Sequence, residues 1–147
     1  TSVVPTPTPR TFVEHPRPQM VLSAADVAAQ LESPNMLLMD ARSPERYRGE
    51  VEPMDPVAGH IPGAVCCPFG GNLSEDGTLK APDVLRERYR QVIGEHPVEQ
   101  VVAYCGSGIA AVHHVLTMKH VGIGDARLYA GSWSDWITDP ERPVERG

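Results

Sequence analysis

A cysteine stands between a short apolar run and a candidate helix in Val101-Val102-Ala103-Tyr104-Cys105-Gly106-Ser107-Gly108-Ile109-Ala110-Ala111-Val112. The chemistry such a placement serves is nucleophilic. A helix N-terminus carries partial positive charge and unpaired N–H groups, and both favour the thiolate, the form of cysteine that attacks. Gly106 and Gly108 let the backbone curl so that several N–H groups converge above the sulfur. Such a nest holds a thiolate, a persulfide or a nearby oxyanion without a lysine. The plain alternative is a buried core cysteine, and the strand, glycine loop and helix around Cys105 argue against it.

Three reactions compete for such a cysteine. A Cys–His hydrolase needs a base within hydrogen-bond reach. His60, His113, His114 and His120 are candidates, but His113 and His114 lie on the helix that starts here and cannot readily turn back to its N-terminus. Phosphoryl transfer needs an arginine soon after the cysteine, and Gly106 to Ala111 contains neither Arg nor Lys. A soft nucleophile that accepts a sulfur atom remains. It needs the thiolate, the N–H nest and a positive side chain for an anionic donor.

The elements that position this loop follow from hydrophobic runs and their punctuation. Val101 to Tyr104 reads as a buried strand, and the following helix is expected to run to about Val121 and stop at Gly122. Its core side is expected to carry Ala111, Val112, Val115, Leu116 and Met118. Met20-Val21-Leu22, Met36 to Met39, Val65-Cys66-Cys67 and Ala126 to Tyr129 are further short strands. Ser23 caps a helix with Asp26 in a capping-box position, and Val27 and Leu31 share its face. Ser43-Pro44 opens a helical turn. Pro82 opens a helix bearing Leu85, Tyr89, Val92 and Ile93 and ending at Gly94. Gly131 to Trp136 is a last helical turn. Strands alternating with helices predict an α/β fold: five strands, mostly parallel, with helices on both faces. In such sheets ligands sit at the carboxyl ends of the strands, where Asp40-Ala41-Arg42 and Cys105 both fall.

The chain has 147 residues and a formal net charge of −6, which gives no sign of a nucleic-acid or anionic-membrane surface. No apolar run is long enough to span a bilayer. Three cysteines, two of them adjacent, make no disulfide framework, so a reducing, cytoplasmic setting is expected. Residues 1–18, with Pro5, Pro7, Pro9, Pro16 and Pro18, read as an extended linker or tail. Residues 19–147 form the expected domain, and a linker at the start suggests the second part of a longer protein.

Four stretches together resemble the rhodanese family, in particular the catalytic C-terminal domain of the two-domain sulfurtransferases. They are Asp40-Ala41-Arg42 with Arg46-Tyr47-Arg48-Gly49; Gly59-His60-Ile61-Pro62-Gly63-Ala64; Cys105 to Ala111; and Gly131-Ser132-Trp133-Ser134-Asp135-Trp136. The resemblance implies a sulfurtransferase that moves a sulfane sulfur from thiosulfate or 3-mercaptopyruvate to a thiol, cyanide or thioredoxin through a persulfide on Cys105. It implies that Ser107 assists proton transfer or holds the donor, that Arg46 binds the donor anion, and that Gly106, Gly108, Ile109 and Ala110 line the site. Gly106 and Ser107 are similar to the mercaptopyruvate type, since thiosulfate-type relatives carry basic residues there. Where the mercaptopyruvate branch has a second arginine near a Glu-Pro pair, this chain has Met54 after Glu52-Pro53, in a shorter loop. Arg48 is the cation nearest in sequence to Arg46. The resemblance also implies a preceding N-terminal rhodanese domain, and no cofactor or metal. A non-catalytic or regulatory module that binds a partner or relays sulfur is the second reading, and a phosphatase of the same fold the third.

Other residues read as structural. Asp40 and Arg42 form an ion pair beneath the site, and His60 is a hydrogen-bonded turn histidine. Trp133 and Trp136 pack the last turn on the sheet, and Tyr104 points into the core. Of Cys66 and Cys67, at least one faces a packed layer.

Overall fold

The computed structural model describes residues 10–147. The linker expected over residues 1–18 therefore falls partly outside the described residues. Residues 10–17 are exposed without a regular element, and Pro18–Met20 forms a 3-10 turn. Arg17 pairs with Asp125 at 2.7 Å.

The apolar run Val101–Tyr104 is strand β4 in chain order, and all four residues are buried. A strand buried on both faces needs neighbours on both edges. These are β2 (Leu37–Asp40) and β5 (Arg127–Tyr129). β1 (Val21–Leu22) adds to β5, and β3 (Val65–Cys66) adds to β2. The order is β1-β5-β4-β2-β3. Every pairing is parallel, where the sequence suggested mostly parallel. Asp40 lies opposite Tyr104, so Ala41 and Cys105 leave the sheet together at its carboxyl edge.

Strand parity divides the core in two. Leu37, Met39, Val101, Ala103 and Cys105 face a layer built with helix α3 (Pro82–Ile93) and helix α4 (Ile109–His120). Leu38, Val102 and Tyr104 face the other layer, with α1 (Ala24–Ala28), Tyr47 of α2 (Pro44–Tyr47) and the two tryptophans of α5 (Ser132–Trp136). Parity thus puts the Cys105 side chain on the α3/α4 side. The expected capping box of α1 is present: Ser23 Oγ accepts from the Asp26 N–H at 3.2 Å, and Asp26 accepts from the Ser23 N–H at 2.9 Å. α1 is shorter than its sequence suggests. Leu31 comes from the following turn and still packs against the cluster of Val27.

One expectation fails on α4. Val112 and Leu116 are 37% and 62% exposed, and the buried positions are Ala111, His114, Thr117 and Met118. This helix is apolar on both sides, so hydropathy alone does not mark its inner face. His114 can turn inward because its polar atoms are satisfied there. Its Nε2 lies 2.8 Å from the Cys67 carbonyl, which only accepts, so Nε2 carries the hydrogen. Nδ1 then accepts from the Tyr89 hydroxyl at 2.8 Å, and that hydroxyl accepts from Asn72 at 2.8 Å. Arg88 adds bonds to Asn72 and to the Pro68 carbonyl, pinning residues 67–72 to the helices.

Burial pushes the His114 imidazole down to about 4. Unfolded His114 binds a proton between its ordinary pKa of about 6.5 and that value, whereas folded His114 does not. Its contribution is therefore complete above about pH 6.5 and is lost as pH falls towards 4, a change of about 3 kcal/mol. Urea unfolding of wild type and H114Q at pH 7 and pH 4.5 checks this. The wild type is expected to show the steeper loss.

The C-terminal tail folds back over the loop that follows α2. Residues His60 and Glu145 form an antiparallel bridge, and the Gly147 N–H donates to the Arg48 carbonyl at 3.1 Å. Among the described residues, no helix is long and apolar enough to cross a membrane.

Candidate active site

Cys105 directly follows β4 and is 3% exposed. Its Sγ accepts a hydrogen bond from the Gly108 N–H at 3.1 Å, at the start of α4. Gly108 has φ 87°, and a Cβ there would lie 2.5 Å from the Ala130 carbonyl oxygen. Conformation and space both demand glycine. Gly108→Ala is expected to cost about 2 kcal/mol or more through strain and displacement of the loop. Urea denaturation measures that cost, and it should accompany slower reaction of Cys105 with any electrophile.

Helix α5 turns the loop outward-in. The Trp133 N–H donates to the Cys105 carbonyl at 3.0 Å, and the Ser134 N–H donates to the Gly106 carbonyl at 2.9 Å. A trans peptide points its N–H opposite its C=O. With both carbonyls bound to α5, the Gly106 and Ser107 N–H groups point away from it. Neither meets an acceptor among the described residues. Together with Gly108 they make the nest that the two glycines suggested.

The Cys105 N–H itself is taken by the buried Ser132 Oγ at 3.1 Å, whose hydroxyl donates to the Tyr129 carbonyl at 2.9 Å. Ser132 has φ 56°, the one non-glycine positive φ among the described residues. Its two hydrogen bonds hold this uncommon backbone in place.

A cleft of about 280 Å³ opens over Cys105, walled by Arg42, Ser43, Arg46, Phe69 and residues of the loop. Of the sequence candidates, Arg46, Cys105, Gly106, Ser107, Ile109 and Ala110 all line it. Gly108 contributes its N–H from behind. Ser107 is exposed, with its hydroxyl at the cleft rather than engaged in the fold. A recess of about 60 Å³ continues past Arg46 and Ser107 to Met54, Asp55 and Ser134.

Arg46 stands against the loop: a Cβ on Gly106 would lie 3.4 Å from its Nη1. The guanidinium is gripped from behind. Nε and Nη2 bind the two oxygens of Glu52 at 3.1 and 2.6 Å, and Nη2 lies 3.4 Å from Asp55. Burial pushes the Glu52 carboxyl up, but hydrogen bonds from Arg46 and from the Met54 and Asp55 N–H groups prevail and hold it below the usual range. Glu52 also reaches Arg42 at 3.3 Å. Two guanidinium groups thus meet three carboxylates: Asp40, Glu52 and Asp55. Met54, which follows the Glu52-Pro53 pair, is 79% exposed. Arg48 turns away to Glu50 at 2.7 Å and lines neither part of the cleft.

Beneath the cleft, the buried Arg42 binds Asp40 at 2.6 Å and the Gly59 carbonyl at 2.7 Å, with its guanidinium 4.8 Å from the Trp133 ring centroid. His60 is structural, stacked on Tyr47 and bonded to the Tyr47 carbonyl at 2.7 Å. Tyr104 is buried, and its hydroxyl accepts from the Ile61 N–H at 3.2 Å. Cys67 is the cysteine that packs inward. Burial pushes its thiol up to about 11 against the pull of Arg88. Sequence reasoning did not single out Glu52, Asp55, Ser132 or Ser134 as site residues. The serines lie in the quoted Gly131-to-Trp136 stretch, which was the available signal.

Fold and loop together define a cysteine-loop α/β domain, with Cys105 at the carboxyl end of a central parallel strand. The model of the rhodanese-like domain matches residues 23–139, and the chain belongs to that family. It is 49% identical over 139 residues to a probable 3-mercaptopyruvate sulfurtransferase of Pseudomonas aeruginosa, covering 95% of this chain and 49% of that protein. It is 34% identical over 145 residues to the human 3-mercaptopyruvate sulfurtransferase, covering 96% and 48%. The chain spans about half the length of these curated relatives. Among solved structures, it is similar to the anaerobic ergothioneine biosynthesis enzyme of Chlorobium limicola, in complex with trimethyl histidine. That match has a TM-score of 0.79 at 26% identity, covering 89% of this chain and 33% of that one.

Proposed function

We propose that this chain is a sulfurtransferase domain working by double displacement at Cys105. The observation that carries the reading is the Cys105 sulfur under the Gly108 N–H, beside two unpaired loop N–H groups and Arg46. The thiolate attacks the donor's outer sulfur. With thiosulfate, the S–S bond breaks and sulfite leaves with the electron pair. With 3-mercaptopyruvate, the C–S bond breaks, its pair passes into the pyruvate enolate, and a proton completes pyruvate. Ser107 is placed to hold the donor or hand over that proton. Either way a persulfide anion stands on Cys105, held by the loop N–H groups and the start of α4. A thiol, cyanide or thioredoxin thiolate then attacks the outer sulfur and returns the Cys105 thiolate. Three free thiols suit a reducing cytoplasm.

The donor test is direct. The protein is incubated separately with 3-mercaptopyruvate and thiosulfate, then weighed intact and as peptides. One added sulfur atom on the Cys105 peptide supports the reading, with faster loading expected from 3-mercaptopyruvate. Unchanged mass with both donors sinks it. A second reading, a module that binds a partner without turnover, draws on the engagement of Arg46 by Glu52 and Asp55. Unchanged mass together with a measurable complex with a protein partner would favour that module.

A further inference from the structure

The sulfur-transfer scheme leaves Asp55 and Ser134 unused, yet they connect Arg46 to the cysteine loop. The Ser134 Oγ lies 2.8 Å from Asp55 Oδ1 and 2.9 Å from the Gly106 carbonyl oxygen. The Ser134 N–H reaches the same carbonyl at 2.9 Å. Asp55 presents its other oxygen to Arg46. The Asp55 side chain is 11% exposed, so these contacts are weakly screened.

The Gly106–Ser107 peptide is the part of the nest most able to turn. Gly106 has no Cβ to hinder rotation. Among the described residues, the hydrogen bonds to its carbonyl both come from Ser134. If that carbonyl swings away from α5, the planar peptide carries the Ser107 N–H out of the nest and puts an oxygen near the sulfur. An oxygen there repels a thiolate or persulfide. Asp55 fixes the hydroxyl rotamer of Ser134 by a charge-assisted bond, and Arg46 fixes Asp55. The hydroxyl has one hydrogen and faces two acceptors, so it is shared between Asp55 Oδ1 and the Gly106 carbonyl.

We propose that Ser134 is a positioning residue that holds the Gly106 carbonyl against α5 and so turns the Ser107 N–H into the cleft over Cys105, with Asp55 tying this clamp to Arg46. The proposal rests on the sulfurtransferase reading for its kinetic consequences and on geometry alone for the state of the loop. It assigns the hydroxyl an effect on the charged states of sulfur rather than on binding the donor.

Ser134→Ala keeps the backbone N–H and removes the clamp's second bond. Its kcat for 3-mercaptopyruvate is expected to fall about tenfold, less than on deleting a direct oxyanion donor, with KM within about twofold of wild type. Ser134→Thr retains the hydroxyl and is expected to restore most of kcat. The rate of Cys105 alkylation by iodoacetamide, followed on its peptide, should fall in Ser134→Ala and recover in Ser134→Thr. That second readout needs no sulfur donor. If wild type loads no sulfur, the functional reading fails, and the alkylation series still decides the role of Ser134. Alkylation and kcat unchanged in Ser134→Ala overturn the proposal. So does equal impairment of Ala and Thr variants, which marks mere packing.

Discussion

Cys105→Ser is expected to abolish sulfur loading, with a loss on the order of a thousandfold or more in turnover. The substitution changes little else. Serine is close in size, and its oxygen can accept the Gly108 N–H that now reaches Sγ at 3.1 Å. The Cys105 backbone keeps its bonds to Ser132 and Trp133. Chemistry is lost for two reasons. A serine hydroxyl is scarcely ionised at neutral pH, and oxygen forms no stable equivalent of the persulfide. The variant should therefore unfold at the wild-type urea concentration, gain no sulfur mass with either donor, and release no pyruvate. Cys66 and Cys67 provide an internal control. Burial pushes both thiols above their ordinary value, so neither is expected to take up sulfur in place of Cys105. Sulfur found on either would contradict the assignment.

Arg42→Met is expected to be the most damaging change to stability, costing about 3–5 kcal/mol. Arg42 and Asp40 are almost wholly buried, at 1% and 0% side-chain exposure, and their bond is 2.6 Å. Burial works against the Arg42 charge, but the hydrogen bonds and field of Asp40 outweigh it, so the pKa stands above its ordinary value. Methionine fills the volume and removes the charge. It leaves Asp40 without its side-chain partner and Glu52 without one of its two arginines, and it strips the Gly59 carbonyl of a donor. The cost is the desolvation of groups left behind, not the worth of one salt bridge. Urea unfolding at pH 7 measures it. A loss under about 1 kcal/mol would show that water or Arg46 replaces the lost partner. Replacing Asp40 together with Arg42 by apolar residues should recover part of the stability, because no uncompensated charge then remains.

The frame of the fold was legible because its signals are local. Val101–Tyr104 is a continuous apolar run, Gly106 and Gly108 mark the loop, and the capping box at Ser23 and Asp26 repeats in space as in sequence. The Asp40–Arg42 pair was legible for the same reason, since the partners are two positions apart at a strand end. The serines of α5 were not. Ser132 meets Cys105 across 27 positions, and Ser134 meets Gly106 across 28. No period links them, because only the return of β5 alongside β4 brings them together. Glu52 and Asp55 lie in an irregular loop where hydropathy carries no pattern. The inner face of α4 was misjudged because Val112 and Leu116 are as apolar as a core residue, while His114 owes its inward place to partners on α3 and the 67–72 segment.

The pairing of β1 with β5 sets an order of assembly. Val21 lies opposite Leu128, so β1 has no neighbour in the sheet until β5 has been made. On a ribosome, β1 must wait through the synthesis of the cysteine loop and α4. The Cys105 N–H waits in the same way for Ser132. Pairings of such wide sequence separation slow folding, because chain closure precedes the contacts that reward it. A nascent chain released before α5 would carry Cys105 without the bonds that α5 gives its loop. The arrangement of N–H groups over the sulfur is thereby completed only when α5 docks.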